Sequence, residues 1–145
     1  MMLFAPIADS IVIVPKPPEI QVESYVLYNP DTGTMIASEE ETNQIKPASI
    51  TKLMTAYTVF HAIKEEQIAM DDPVRVSKNA MKAAVGGSSM FIDQYMDVTV
   101  EDLIKGMIII SGNDASVALA EHIAGNEETF AIYMNCLLYT SPSPR

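Results

Sequence analysis

The spacing of apolar positions changes along the chain. Residues 24–28 (SYVLY) and 34–38 (TMIAS) have the make-up of short strands. Asn29-Pro30-Asp31-Thr32-Gly33 between them gathers turn formers and ends on a Gly suited to positive φ, so the pair reads as an antiparallel hairpin. Beyond Pro47-Ala48-Ser49 the period lengthens. Leu53, Tyr57, Phe60 and Ile63 recur at helical spacing and predict a largely buried helix over 50–66. A mostly polar connection over 67–76 contains Pro73, and 77–85 reads as a short helix closed by Gly86-Gly87.

Thr99, with an acid three residues on, has the form of a capping motif, and Val100, Leu103, Ile104, Met107 and Ile108 share one face of the helix it starts. Ser111-Gly112-Asn113 stops that helix. Asn113 is placed to cap the next, over 114–124, which ends at Gly125; a last helix runs from Glu127 to about Leu138. A leading hairpin followed by helices is an α+β arrangement.

The flanks are different in kind. Pro15, Pro17 and Pro18 favour an extended lead-in over helix or central strand. Met1 to Ala8 (MMLFAPIA) resembles the end of a secretory signal without its positive start and is expected to be a truncated remnant of one, the alternative being an ordinary N-terminal arm. The Ser/Pro-rich end, 139–145 (YTSPSPR), cannot extend a helix. The expected organisation is a lead-in over 1–20, a folded domain over 21–135 and a tail over 136–145.

With 145 residues there is chain for one modest domain, and the 48% hydrophobic content is that of a globular core. Nine basic against nineteen acidic residues give a net charge of −10, which disfavours nucleic acid and anionic lipid; nucleic acid is excluded as a partner. One Cys and two His leave no disulfide and no ordinary structural metal site. The most apolar run, 103–110, is short for a membrane span and contains Lys105.

Ser49-Ile50-Thr51-Lys52 is the most informative stretch, because three residues apart on a helix puts the Ser hydroxyl and the Lys amine on one face. A serine needs a base before it attacks, and a lysine serves only when its amine is partly neutral. The positive end of the helix dipole and burial both work in that direction at Lys52, and first-turn N–H groups can stabilise an oxyanion. Taken alone, the pair is more simply an N-cap, Ser49, and a solvated first-turn residue, Lys52. Ser111-Gly112-Asn113 adds a hydroxyl able to relay a proton and a carboxamide able to orient a peptide bond, with helix capping as its simpler role. His61 and His122 lie within helices and take packing or surface roles; Glu39-Glu40-Glu41 is a solvated loop; Met81 and Met90-Phe91 are core; Ser88 and Ser89 receive no role.

In their order and surroundings, these motifs resemble the low-molecular-mass penicillin-binding proteins, the serine D-alanyl-D-alanine carboxypeptidases related to the serine β-lactamases. ESYVLYNPDTGTMIASEEE resembles the family's first hairpin, PASITKLMTAY its nucleophile helix, GGSSMF its following loop and SGNDASVALAEHIAG its second motif, over about Pro18 to Asn135. The resemblance implies that Ser49 is acylated, Lys52 accepts its proton, Ser111 relays a proton to the leaving group and Asn113 binds substrate. It implies a peptidoglycan pentapeptide ending in D-Ala-D-Ala as substrate, β-lactam antibiotics as inhibitors, no metal or organic cofactor, and a place in the periplasm or on the outer face of the cytoplasmic membrane.

The family's third motif, Lys-Thr-Gly on a later sheet strand, does not occur in the sequence. The expectation is therefore a partial fold without its C-terminal sheet strands, the N-terminal part of a longer enzyme, its hairpin left with unpaired edges and an uncovered apolar face. Cys136 to Arg145 departs from the family pattern. Two alternatives stand beside the carboxypeptidase: a class A-like β-lactamase, whose second motif is usually Ser-Asp-Asn, and a catalytically silent fragment.

Overall fold

The computed structural model describes Lys16 and residues 18–140. The signal-like stretch 1–8 and the end of the tail, 141–145, lie outside the described residues. The chain forms two units, Met1–Lys46 and Pro47–Arg145.

In the first unit, β1 (Tyr25–Asn29) pairs antiparallel with β2 (Thr34–Glu39). The turn is built as its residues dictate. Asn29 Oδ1 accepts the N–H groups of Asp31 and Thr32 at 2.9 and 3.2 Å, and Gly33, at φ +69°, donates back to the Asn29 carbonyl. The expected hairpin is present. A register shift between Leu27 and Tyr28 breaks the strict alternation, and Val26, Leu27, Tyr28 and Ile36 remain at least half exposed.

The second unit begins with a 3₁₀ turn, Ala48–Ile50, that feeds α1 (Thr51–Lys64). A two-residue ladder of β3 (Pro73–Val74) and β4 (Val98–Thr99) brackets α2 (Lys78–Ala83). Then come α3 (Val100–Ile109), α4 (Asn113–Ala124) and α5 (Glu127–Thr140). Helix α4 is the hub, in contact with α1, α2, α3 and α5. Its buried residues include Ala115, Ala118 and Ala120, small side chains that let neighbouring helices approach, with Leu119 as the large anchor. Val59, Val100, Leu103 and Met107 complete the centre of the core.

The capping motif expected at Thr99 is present, Thr99 and Asp102 forming a reciprocal capping box on α3, whereas Ser77, expected as the first residue of its helix, is the N-cap of α2 and accepts the Ala80 N–H. Others are corrected. Most of the apolar stripe of α1 is not its buried face: Leu53 is 74% exposed, Tyr57 45% and Phe60 47%, and of the four positions Ile63 packs against the core. The buried face carries Thr55, Thr58, Val59 and Ala62, small or β-branched residues that fit against α4, the Thr58 hydroxyl donating to the Met54 carbonyl. Ile108, expected on the core face of α3, is 59% exposed. Phe91, expected in the core beside Met90, is 81% exposed in a left-handed conformation. The connection over 67–76 holds a strand too short to show an alternation. Helix α5 runs on through Cys136 to Thr140, because Leu137 buries against the unit. Among the described residues, no helix is long and apolar enough to cross a membrane.

Candidate active site

Ser49 sits in the 3₁₀ turn, between Ala48 at φ +45° and the start of α1. Lys52, the second residue of α1, projects from the same end. The link between α3 and α4 brings the second motif to this point. Ser111 adopts φ +57°, and Gly112 donates to the Gly106 carbonyl at 3.1 Å, which turns the chain sharply into α4.

The four side chains meet. Lys52 Nζ donates to Asn113 Oδ1 at 2.7 Å and to Ser49 Oγ at 3.4 Å, and Ser111 Oγ donates to Ser49 Oγ at 3.2 Å. Residues 62 positions apart, Ser49 and Ser111, thus share a hydrogen bond, while Lys52 bridges to Asn113. Ser49 is exposed and the other three are partly buried, so a ligand can reach the hydroxyl directly. Both acceptors of Lys52 are uncharged, and among the described residues it makes no ion pair. Two non-glycine residues held at positive φ, Ala48 and Ser111, flank the cluster; such conformations cost about 1–3 kcal/mol each and persist only where the surroundings enforce them.

Asn113 does not cap α4 as the sequence pattern predicts. Gly112 is the N-cap, no side chain caps the helix, and Asn113 is its first residue, its carboxamide given over to Lys52. The neighbouring Asp114 turns inward instead. That side chain is fully buried; its Oδ1 accepts from Met90 and Ala115 N–H at 2.9 Å each, and its Oδ2 from Ser89 Oγ at 2.7 Å and Ile92 N–H at 3.3 Å. Burial pushes this carboxyl up, but the donors of Met90, Ser89, Ala115 and Ile92 outweigh it and hold the group below the usual carboxylate range.

A family model described as D-alanyl-D-alanine carboxypeptidase, peptidase S11, matches residues 11–139. The chain belongs to this family. S11 relatives include the D-alanyl-D-alanine carboxypeptidase DacD of Escherichia coli (strain K12), 44% identical over 88% of this chain and 34% of that protein. DacF of Bacillus subtilis (strain 168), also a D-alanyl-D-alanine carboxypeptidase, is 42% identical over 79% of this chain and 29% of its own length. The fold matches penicillin-binding protein 5 from Haemophilus influenzae with a TM-score of 0.71 at 38% identity, covering 88% of this chain and 38% of that one. It matches penicillin-binding protein 6B from Escherichia coli with a TM-score of 0.67 at 44% identity, covering 86% and 41%. The chain spans about a third of the length of the curated relatives it matches. The α+β expectation and the partial S11 fold both hold.

Of the residues singled out from sequence, Ser49, Lys52, Ser111 and Asn113 come together. His61 stays in a packing role, its Nδ1 3.0 Å from the Tyr133 hydroxyl across α1 and α5. Asp114, Ser89 and the Ser88 carbonyl, which accepts the Asn113 N–H at 2.8 Å, were not anticipated. The available signal was Asp114 itself, an acid opening an Ala-rich helix that has to be buried.

Proposed function

We propose that this chain carries the acylation machinery of a serine D-alanyl-D-alanine carboxypeptidase that trims peptidoglycan stem peptides and is inhibited by β-lactams. The observation that carries the reading is the joint placement of Ser49, Lys52, Ser111 and Asn113. With its amine neutral, Lys52 accepts the Ser49 proton as Oγ attacks the penultimate D-alanine carbonyl. Its remaining N–H still reaches the Asn113 carboxamide, which keeps the amine in line. As the tetrahedral intermediate collapses, the C–N bond breaks, Ser111 gives its proton to the departing D-alanine amine, and Lys52 restores it with the proton taken from Ser49, which leaves the amine neutral again. Water then hydrolyses the ester on Ser49. No metal or organic cofactor takes part in this scheme.

A β-lactamase with Ser-Asp-Asn at the corner is a poorer match. A Cβ on Gly112 would stand 3.0 Å from Asp114 Oδ1, 3.3 Å from the Gly106 carbonyl and 3.3 Å from the Met90 nitrogen, two of the three being backbone atoms. The substrate lies outside the cytoplasmic membrane, so the reading includes export to the periplasm or the outer membrane face.

The test is covalent labelling of the complete gene product with a reporter penicillin, followed by D-alanine release from a pentapeptide ending in D-Ala-D-Ala. Labelling that disappears in Ser49→Ala, together with D-alanine release, supports the reading. Folded wild-type protein that takes up no label overturns it in favour of a silent chain, and rapid turnover of the penicillin without D-alanine release favours the β-lactamase.

A further inference from the structure

Asp114 touches none of the four residues of the cluster through its side chain, yet it organises what surrounds them. Its carboxylate gathers three donors of the loop after α2, the Ser89 hydroxyl and the Met90 and Ile92 N–H groups, as well as the Ala115 N–H of its own helix. The Ser89 oxygen in turn accepts the Phe91 N–H at 2.8 Å. Phe91 is thereby held at φ +60°, a conformation that a bulky residue does not keep unless its neighbours are pinned on both sides. An acid in the first turn of a helix is ordinarily solvated and interacts with the dipole alone; this one is fully buried and has donors on both oxygens.

The loop so anchored encloses Asn113. The Ser88 carbonyl accepts the Asn113 N–H, and Gly87 lies so close that a Cβ there would stand 2.5 Å from Asn113 Nδ2. Backbone and carboxamide of Asn113 are therefore both confined by residues 87–88, and Asn113 Oδ1 is the nearer acceptor of Lys52 Nζ. We infer that Asp114 is a positioning residue for acylation: through the loop 87–92 it fixes the Asn113 carboxamide, and through Asn113 the line of Lys52 on Ser49. This inference rests on the function proposed above. Its physical content is that displacing a positioned group by a fraction of an ångström to 1 Å is enough to slow a step that depends on alignment.

Asp114→Asn keeps the size of the side chain but replaces one accepting oxygen by an NH₂ that faces N–H or O–H donors, so the loop loosens without a cavity. Ser89→Ala removes one of the four donors and the support of Phe91 N–H, a milder version of the same change.

The experiment is saturation kinetics of penicillin acylation on the complete gene product, for the wild type, Ser49→Ala, Asp114→Asn and Ser89→Ala, recording both the limiting rate constant and the fraction of molecules that label. A merely structural role lowers the labelled fraction and leaves the rate constant of the molecules that do label untouched. A positioning role lowers the rate constant itself, by about 10- to 100-fold for Asp114→Asn and several-fold for Ser89→Ala. Wild-type rate constants in these variants overturn the inference while the wild type still acylates and Ser49→Ala does not, which leaves the proposed function standing. If Asp114→Asn does not fold, Ser89→Ala decides by the same criterion. Absence of labelling in folded wild type is instead the failure of the function itself.

Discussion

Lys52 Nζ lies nearer to Asn113 Oδ1, at 2.7 Å, than to Ser49 Oγ, at 3.4 Å. Both oxygens lie within hydrogen-bonding distance of the amine, and Ser49 Oγ also meets Ser111 Oγ. The proposed acylation requires the Ser49 hydroxyl to donate to a neutral Lys52 amine. Lys52→Arg tests this directly, because a guanidinium preserves the donors to Asn113 but cannot be deprotonated. Penicillin acylation of the variant is expected to fall about 10²- to 10⁴-fold, the span of a lost general base.

Ser111 combines a hydroxyl that touches Ser49 Oγ with a backbone at φ +57°. Ser111→Gly and Ser111→Ala both remove the hydroxyl, but only glycine relaxes the backbone. Both variants acylate slowly, and Ser111→Gly is expected to be the more stable by about 1 kcal/mol in denaturant unfolding. Equal stability would show that the corner carries no strain.

Gly87 meets only the far end of the Asn113 side chain. Gly87→Ala is therefore expected to displace the carboxamide while barely changing the fold. The melting temperature stays near the wild-type value and acylation slows by about 10-fold. A large drop in melting temperature would place the clash elsewhere.

Asp114 links stability to pH with a definite sign. Its folded pKa lies below that of the unfolded chain, so the stabilisation is complete above the unfolded carboxylate value, about 3.9, and is lost as pH falls through the lower folded value. In thermal melts, the gap between wild type and Asp114→Asn is expected to be constant from pH 7 to about pH 5 and to narrow below about pH 4. A gap that narrows near neutrality would contradict a depressed carboxyl.

Thr99 accepts the Asp102 N–H and, with Asp102 returning a bond to the Thr99 N–H, closes the start of α3. The Thr99 hydrogen bonds hold the Asp102 carboxyl below its usual range. Thr99→Ala should cost about 1 kcal/mol in chemical denaturation and leave acylation unchanged, since the cap lies at the opposite end of α3 from the Ser111 corner.

Much of this architecture was legible in the residues because local chemistry and fold agree. The Asn-Pro-Asp-Thr-Gly turn, the Thr99 cap and the Gly125 stop each act over a few neighbouring positions. The four-residue cluster was legible only through the resemblance, since spacing brings Lys52 to Ser49 but says nothing of a partner 61 positions away. What stayed hidden depends on long-range packing. The stripe of Leu53, Tyr57 and Phe60 has the period of a core face, yet α4 packs on the threonines and alanines of the other side. Likewise Ser89 and Asp114 look like ordinary polar residues until the loop after α2 is folded over the head of α4.

The outward row of Leu53, Tyr57 and Phe60 on α1 also governs how the polypeptide behaves in the test tube. Greasy side chains one turn apart invite sticking, so a preparation restricted to these 145 residues should form soluble clumps as it is concentrated and light up an environment-sensitive dye. Replacing Leu53 and Phe60 by glutamate should disperse the clumps, leaving Ser49, Lys52, Ser111 and Asn113 where they are.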